Sequence, residues 1–273
     1  LRSSKVTQTL KDPDGTIKLQ ITLSDGRAVE TVLLTDKEGR KTACVSCQAG
    51  CAMKCAFCQT GTLGLARNLT PAEIVEQFLF LEQECGHLDN IVFMGMGEPM
   101  MNLEGIRKAI AVLTDKRGRN LSGRRITLST SGIIKGIYDL ADNGPNIRLA
   151  VSLTTANEDL RTELMPVNKG NPLPELRKAI DYYAKKSGRR VTLEAALLAG
   201  KNTEYLTFVL RITGTVFISF GIISNSTCCF NSCISPISSR CFRYRNRPYS
   251  VSESNTPYSF LTFFEKYFIL IVV

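Results

Sequence analysis

The chain has 273 residues, enough to bury one large core or two smaller ones. Its formal net charge is +9 with 44% apolar residues, so it is an ordinary globular composition whose surface attracts polyanions: RNA, DNA or an anionic cofactor. No run reaches the roughly 18 apolar residues of a membrane helix; "FLTFFEKYFILIVV" is interrupted by Glu265 and Lys266. The opening "LRSSKVTQTLKDPDG" lacks the apolar core of an export signal, so a cytoplasmic location with no membrane partner is expected. In a reducing cytosol the ten cysteines point to metal or redox chemistry rather than disulfides.

The first predicted element is a hairpin: "TIKLQITL" and "AVETVLL" are β-rich and meet through Ser24-Asp25-Gly26, a strong turn signal. "KTACVS" is a short strand that runs into a cysteine-rich loop. Thr70-Pro71-Ala72-Glu73 opens a helix with an N-cap, a proline and an early acid; Ile74, Val75, Phe78 and Leu81 keep helical spacing until Gly86. The chain then alternates. "NIVFMG", "RRITLST", "NIRLAVSLT" and "RRVTLEAALLAG" are strands, and "LEGIRKAIAVLTD", "IIKGIYDLAD" and "LPELRKAIDYYAKKSG" are the helices between them. This spacing predicts an α/β fold: parallel strands with right-handed crossovers, five of them counting "KTACVS", forming a partial (β/α) barrel preceded by an N-terminal β-hairpin. A fifth strand without a sixth would leave an exposed edge. The predicted divisions are 1–36 for the hairpin, 37–206 for the barrel core and 207–273 for a divergent tail. That tail holds no Ala or Asp yet has nine of the thirteen Phe, which suggests a sequence foreign to the domain before it, such as a shifted reading frame.

Five of the ten cysteines lie between Cys44 and Cys58, in "CVSCQAGCAMKCAFC". Cys51, Cys55 and Cys58 have C-x3-C-x2-C spacing. Three thiolates ligate a [4Fe–4S] cluster with one iron left open to chelate the amino and carboxylate groups of S-adenosylmethionine (SAM). A zinc site that takes Cys44 and Cys47 as its second pair is the alternative. Candidate binding groups follow the strands, where α/β folds place their sites. They are Gly95, Gly97 and Glu98 in "FMGMGEPMMN", Ser129, Thr130 and Ser131 in "TLSTSG", and Ser152 and Thr154 in "AVSLTTAN". Taken singly, each is equally a tight turn or a helix cap. Lys116, Arg117, Arg119, Arg124 and Arg125 form a basic loop, either a phosphate grip or a solvated surface. His87 and Cys85 sit at a helix end and are expected to cap and pack rather than ligate.

Together "CVSCQAGCAMKCAFCQTG", "RNLTPAEIVEQ", "VFMGMGEPMMN", "RRITLSTSG" and "VNKG" resemble the radical SAM adenine-C2 methyltransferases of 23S rRNA and tRNA, over about Thr16 to Tyr205. The resemblance implies cluster ligation by Cys51, Cys55 and Cys58. It implies SAM contacts at Gly97, Glu98, Ser129, Ser152, Leu153 and Thr154, although Thr154 stands where the family usually has His. It further implies that Glu30 is the proton acceptor and Cys44 the thiol that resolves a covalent intermediate. In the family's scheme one SAM methylates a second cysteine, and another supplies the radical that passes this carbon to adenine C2. The implied partners are rRNA, tRNA and an electron donor such as flavodoxin, with the protein a monomer. The context of the methyl-carrying cysteine is not recognisable around Cys228, Cys229, Cys233 or Cys241, so a chain that binds its cofactors yet fails to methylate RNA is expected. The alternatives are a zinc-stabilised RNA-binding module without catalysis, or a radical SAM enzyme for another substrate.

Overall fold

The computed structural model describes residues 2–198, 200–202 and 218–223. Strands β1 (Lys5–Lys11), β2 (Ile17–Thr22), β3 (Ala28–Thr35) and β4 (Lys41–Cys44) form an antiparallel meander. The ribbon β5 (Gln48–Gly50) and β6 (Leu65–Asn68) brackets the cysteine loop and the one-turn helix α1 (Gln59–Thr62). Then come α2 (Pro71–Cys85), β7 (Asn90–Phe93), α3 (Leu103–Thr114), β8 (Ile126–Thr130) and α4 (Ile134–Asn143). The series continues with β9 (Arg148–Ser152), α5 (Glu158–Leu164), α6 (Leu173–Ser187), β10 (Val191–Leu198) and β11 (Ile218–Ile223).

Nine strands make one sheet in the order β1-β2-β3-β4-β7-β8-β9-β10-β11. From β4 onward every pairing is parallel. The predicted strands and long helices are all present. Two expectations are corrected. The hairpin is extended by β1, whose residues are almost all exposed and so carry no apolar alternation to read. The edge of β10 is covered, because β11 pairs along it from Leu193 to Leu198. The tail cysteines Cys228, Cys229, Cys233 and Cys241 lie outside the described residues.

Strand alternation divides the molecule into two faces. Ile91, Phe93, Leu128, Leu149 and Val151 point to the helices and pack with Ile106, Ile110, Ile137, Leu140 and Leu176. Each such side chain contributes about 1.5–3 kcal/mol on full burial. The opposite, concave face carries a small cluster of Val32, Cys44 and Val92. Beyond it the concave face is polar, and this is where the site is built. Among the described residues no helix is long and apolar enough to cross a membrane.

Helix α2 shows how local chemistry fixes an element. Thr70 Oγ1 accepts from the Glu73 N–H (3.2 Å), and the Glu73 carboxylate accepts from the Thr70 N–H (2.8 Å), a reciprocal cap. Arg67 grips the same carboxylate with two nitrogens, at 2.8 and 2.9 Å. Burial pushes the Glu73 carboxyl up, but the Arg67 guanidinium and the Thr70 N–H outweigh it and hold the group below its ordinary value. Its folded pKa is therefore depressed, so its stabilisation is present above the unfolded carboxylate range and lost as pH falls through the folded value. Glu73→Gln is expected to lower unfolding free energy by about 1 kcal/mol at neutral pH. Urea melts should show the gap between wild type and variant closing in acid; a gap that stayed constant would contradict this account.

Candidate active site

The cysteine loop is held at both ends. The Cys51 N–H donates to Gly64 O (2.9 Å), and the Ala56 N–H donates to Leu164 O at the end of α5 (2.8 Å). Gly50 has φ +83°, and a Cβ there would fall 1.9 Å from Gly64 O, so the close approach requires glycine. Cys51 is buried; Cys55 and Cys58 are partly exposed. Burial pushes the Cys51 thiol up to about 11 and the Cys55 thiol up to about 12, with the other loop cysteines and Glu98 adding charge repulsion. The Cys47 and Gln48 N–H groups both donate to Met96 O, at 2.8 and 3.1 Å, which places the start of the loop beside the turn that follows β7.

Those strand ends converge. Glu98 is buried, and its carboxylate accepts from Thr130 Oγ1 (2.7 Å), Ser131 Oγ (2.7 Å), the Ser131 N–H (2.8 Å) and the Met100 N–H (3.1 Å). Its four acceptor positions are thus taken by protein donors, and the acid locks the β7 turn to the end of β8. The Glu98 N–H donates to Gln48 Oε1 (2.8 Å). Gly97 has φ +105°, and a Cβ would lie 2.5 Å from Gln48 Cβ. Gly95 is equally crowded, with Ser46 Oγ 2.7 Å from a built Cβ.

On the far side of the mouth, Ser129 Oγ donates to Glu194 Oε2 (2.7 Å), and Ser152 Oγ donates to the same oxygen (3.3 Å). The Leu153 and Thr154 N–H groups both donate to the Glu194 carbonyl, at 2.8 and 3.1 Å. Thr154 has φ +63°, and its buried Oγ1 has no hydrogen-bond partner. Beneath this rim lies Arg161, fully buried. It donates to the carbonyls of Ser131 (2.7 Å), Leu153 (3.1 Å) and Ser152 (3.2 Å), and to Asn168 Oδ1 (2.7 Å). Burial pulls its pKa down to about 10, opposed by the charges of Cys55 and Glu158. The guanidinium therefore stays protonated at neutral pH.

Glu30 and Cys44 share a face. Val32 stands opposite Cys44 across β3 and β4, and Glu30 lies two residues from Val32. Lys18 Nζ reaches Glu30 Oε1 at 3.1 Å. Burial pushes the Glu30 carboxyl up against the pull of Lys18. Burial pushes the Cys44 thiol up to about 12, with the Glu194 charge adding to it. Cys44 and Cys47 do not present a paired half-site: Cys44 belongs to the concave-face cluster and Cys47 to the main core.

Sequence patterns did not single out Glu194, Arg161, Asn168 or Gln48 as part of the site. The signals were a lone acid in the apolar strand "VTLEAALL" and a lone arginine on the inner side of a short helix. Of the basic loop, Arg117 is paired with Asp115 and Arg119 with Glu82, Arg119 also donating to the Leu88 carbonyl. His87 lies against the Arg119 guanidinium, in keeping with a packing role.

These features fit the two expected cofactors. Three thiols on one short loop, of which Cys55 and Cys58 are partly exposed, are the donor set of a cluster with one iron left open. On the polar rim, Glu194 Oε1 and Thr154 Oγ1 are buried without a hydrogen-bond partner, which leaves polar capacity for a bound SAM.

A parallel half-barrel with three thiols beside its strand ends defines a class, and residues 45–211 match the radical SAM superfamily. The chain belongs to that superfamily. It is 66% identical over 204 residues to a Treponema denticola protein named "Probable dual-specificity RNA methyltransferase RlmN", covering 75% of this chain and 59% of that one. A Treponema pallidum protein of the same name is 59% identical over 203 residues, covering 74% and 60%. The crystal structure of a radical SAM methyltransferase from Sphaerobacter thermophilus superposes with a TM-score of 0.76 at 40% identity, covering 82% of this chain and 67% of that one. The family expected from the motifs is upheld. The chain spans about 60% of the length of the curated relatives it matches.

Proposed function

We propose that this chain carries the cofactor-binding barrel of a radical SAM methyltransferase acting on adenine C2 of 23S rRNA and tRNA. The observation that supports this most is the convergence of the C-x3-C-x2-C loop with the polar strand ends around one mouth. Cys51, Cys55 and Cys58 would hold a [4Fe–4S] cluster, and Gly97, Glu98, Ser129, Ser152, Leu153 and Thr154 would surround SAM. When bound, these groups together supply a carbon radical by one-electron cleavage of the sulfonium.

The chain's own residues do the rest. Glu98 fixes the β7 turn so that its backbone meets the ligand. Arg161 ties down the carbonyls of the rim. Glu30, raised by burial, takes a proton, and Cys44, buried and held as a thiol, is protected from stray reaction until the substrate arrives. RNA is drawn by the net charge of +9. An electron donor such as flavodoxin, a cytoplasmic location and a monomeric state complete the proposal, as do the divisions at 1–36, 37–206 and 207–273.

Anaerobic reconstitution tests the site. The wild-type chain is expected to take up iron and sulfide near four of each per chain, and Cys55→Ala to lose most of that iron while melting at a similar temperature. Zinc without sulfide in the wild type would overturn the assignment and favour an RNA-binding module. A second assay, on rRNA and tRNA fragments, separates SAM cleavage from methyl transfer. Cleavage without methylated adenine is expected, because no cysteine around Cys228–Cys241 has a recognisable carrier context. Methylated RNA would assign that role to the tail.

A further inference from the structure

The basic loop divides in two. Arg117 and Arg119 are paired with acids. Arg125 is exposed, and its side chain reaches the Asn90 amide oxygen at 3.4 Å rather than a carboxylate. Beside it, at the amino ends of β9 and β10, stand Arg148 and Arg190, also exposed. Leu149 pairs with Val191, so Arg148 and Arg190 are neighbours across the two strands. Leu149 and Val191 belong to the helix-side core, and alternation turns Arg148 to the concave face. Burial pulls the Arg148 pKa down, and the charges of Arg125, Arg189 and Arg190 add to it. Among the described residues Arg148 has no ion pair and no hydrogen-bond acceptor. Elsewhere on the surface arginines take carboxylate partners, as Arg40 does with Asp36 and Arg177 with Asp181. Like charges gathered in this way repel one another, and an anion relieves the repulsion.

One row of the sheet joins this cluster to the reacting groups. Cys44 pairs with Val92, Val92 with Thr127, and Thr127 with Arg148. The four side chains therefore share the concave face. Three strand spacings, about 14 Å, separate Cys44 from Arg148. Ser152 lies four residues beyond Arg148 on β9, on the same face, so the arginines stand about 13 Å below the polar rim. An adenine held against Glu30 and Cys44 lies between the two levels. The sugar and phosphate of that nucleotide, with the length of an arginine side chain, span the remaining distance. A phosphodiester is the anion that an RNA substrate brings, and the flat fork of a guanidinium matches two of its oxygens.

We propose that Arg125, Arg148 and Arg190 bind a phosphate of the RNA backbone next to the adenine whose C2 faces Cys44. The proposal rests on the reading of Glu30 and Cys44 as the groups that meet that adenine. A contact of this kind positions the base without reading sequence, which suits a site that accepts both rRNA and tRNA.

Equilibrium binding of rRNA and tRNA fragments to the reconstituted full-length chain, over a range of salt concentrations, tests this. Arg148→Gln is expected to weaken RNA binding about fivefold and to make the salt dependence shallower by about one unit. Binding of S-adenosylhomocysteine should not change, which also shows that the variant is folded. Arg177→Gln removes the same charge from α6 and should leave RNA binding near wild type. A neutral methylphosphonate placed in turn at each phosphate within two nucleotides of the adenine supplies the second readout. One position should cost the wild type about fivefold and cost Arg148→Gln nothing. A wild type indifferent to every such position overturns the proposal without any variant. Arg148→Gln and Arg125→Gln that bind RNA no worse than Arg177→Gln overturn it too, while RNA bound by the wild type keeps the broader reading. Unchanged RNA binding with slower reduction of the cluster by flavodoxin would assign the patch to an acidic protein and overturn it as well. A wild type that binds S-adenosylhomocysteine and no RNA overturns the reading of the substrate itself, and this proposal with it.

Discussion

Arg161→Met is expected to cost about 3–5 kcal/mol of stability, the range for breaking a buried charged network. Methionine keeps much of the volume, so the loss is not mainly that of a cavity. What disappears is a cation that satisfies three backbone carbonyls and the Asn168 amide oxygen at once. The carbonyls of Ser131, Ser152 and Leu153 belong to three points of one rim, so losing their common donor frees the ends of β8 and β9 together. Against a typical stability of about 5–15 kcal/mol, the variant should fold only marginally. A urea midpoint and a thermal melt measure this directly. A shift of less than about 1 kcal/mol, the ordinary worth of a single hydrogen bond, would mean that water or a neighbouring donor replaces the guanidinium.

Gly97→Ala is expected to lower SAM affinity by about a hundredfold, roughly 2.7 kcal/mol. The added Cβ meets Gln48 Cβ at 2.5 Å and the Gln48 backbone nitrogen at 2.8 Å, and φ is +105°. Backbone cannot give as a flexible side chain would. Gln48 is also the acceptor for the Glu98 N–H and the donor to Asn68, so any shift passes to the turn that lines the mouth. Gly26→Ala is the control. Its φ is +80°, but nothing lies within 4 Å of a built Cβ. It should carry only the conformational cost, about 1 kcal/mol, and leave SAM binding unchanged. Calorimetric titration of both variants separates the two effects; similar affinities in both would show that crowding at Gln48 is harmless.

Local chemistry made part of this molecule readable in advance. Thr70, Pro71 and Glu73 announce α2 because their partners lie within three residues. The Asp25-Gly26 turn announces the β2–β3 hairpin for the same reason. The strand ends were legible because apolar runs stop where hydroxyls begin. Glu194 was hidden because its side-chain partners Ser129 and Ser152 lie 65 and 42 residues away in sequence, and Arg161 because it serves backbone carbonyls and one amide oxygen, which no side-chain pattern marks. In isolation each is merely a charge in the wrong place. β5 and β6 were too short to show a period. The strand at 218–223 lies in a stretch without caps or helical spacing, and only its pairing with β10 reveals it.

The placement of Glu30 and Cys44 on adjoining strands has a mechanical consequence. Their separation is set by the rungs of a backbone ladder, with Thr31 Oγ1 pinned to the Cys44 carbonyl at 2.8 Å. The cysteine loop begins only beyond that ladder and is tied separately, at Cys51 to Gly64 and at Ala56 to Leu164. Loading the proposed cluster should therefore leave the spacing of Glu30 and Cys44 unchanged, because that spacing rests on hydrogen bonds in which Cys51, Cys55 and Cys58 take no part.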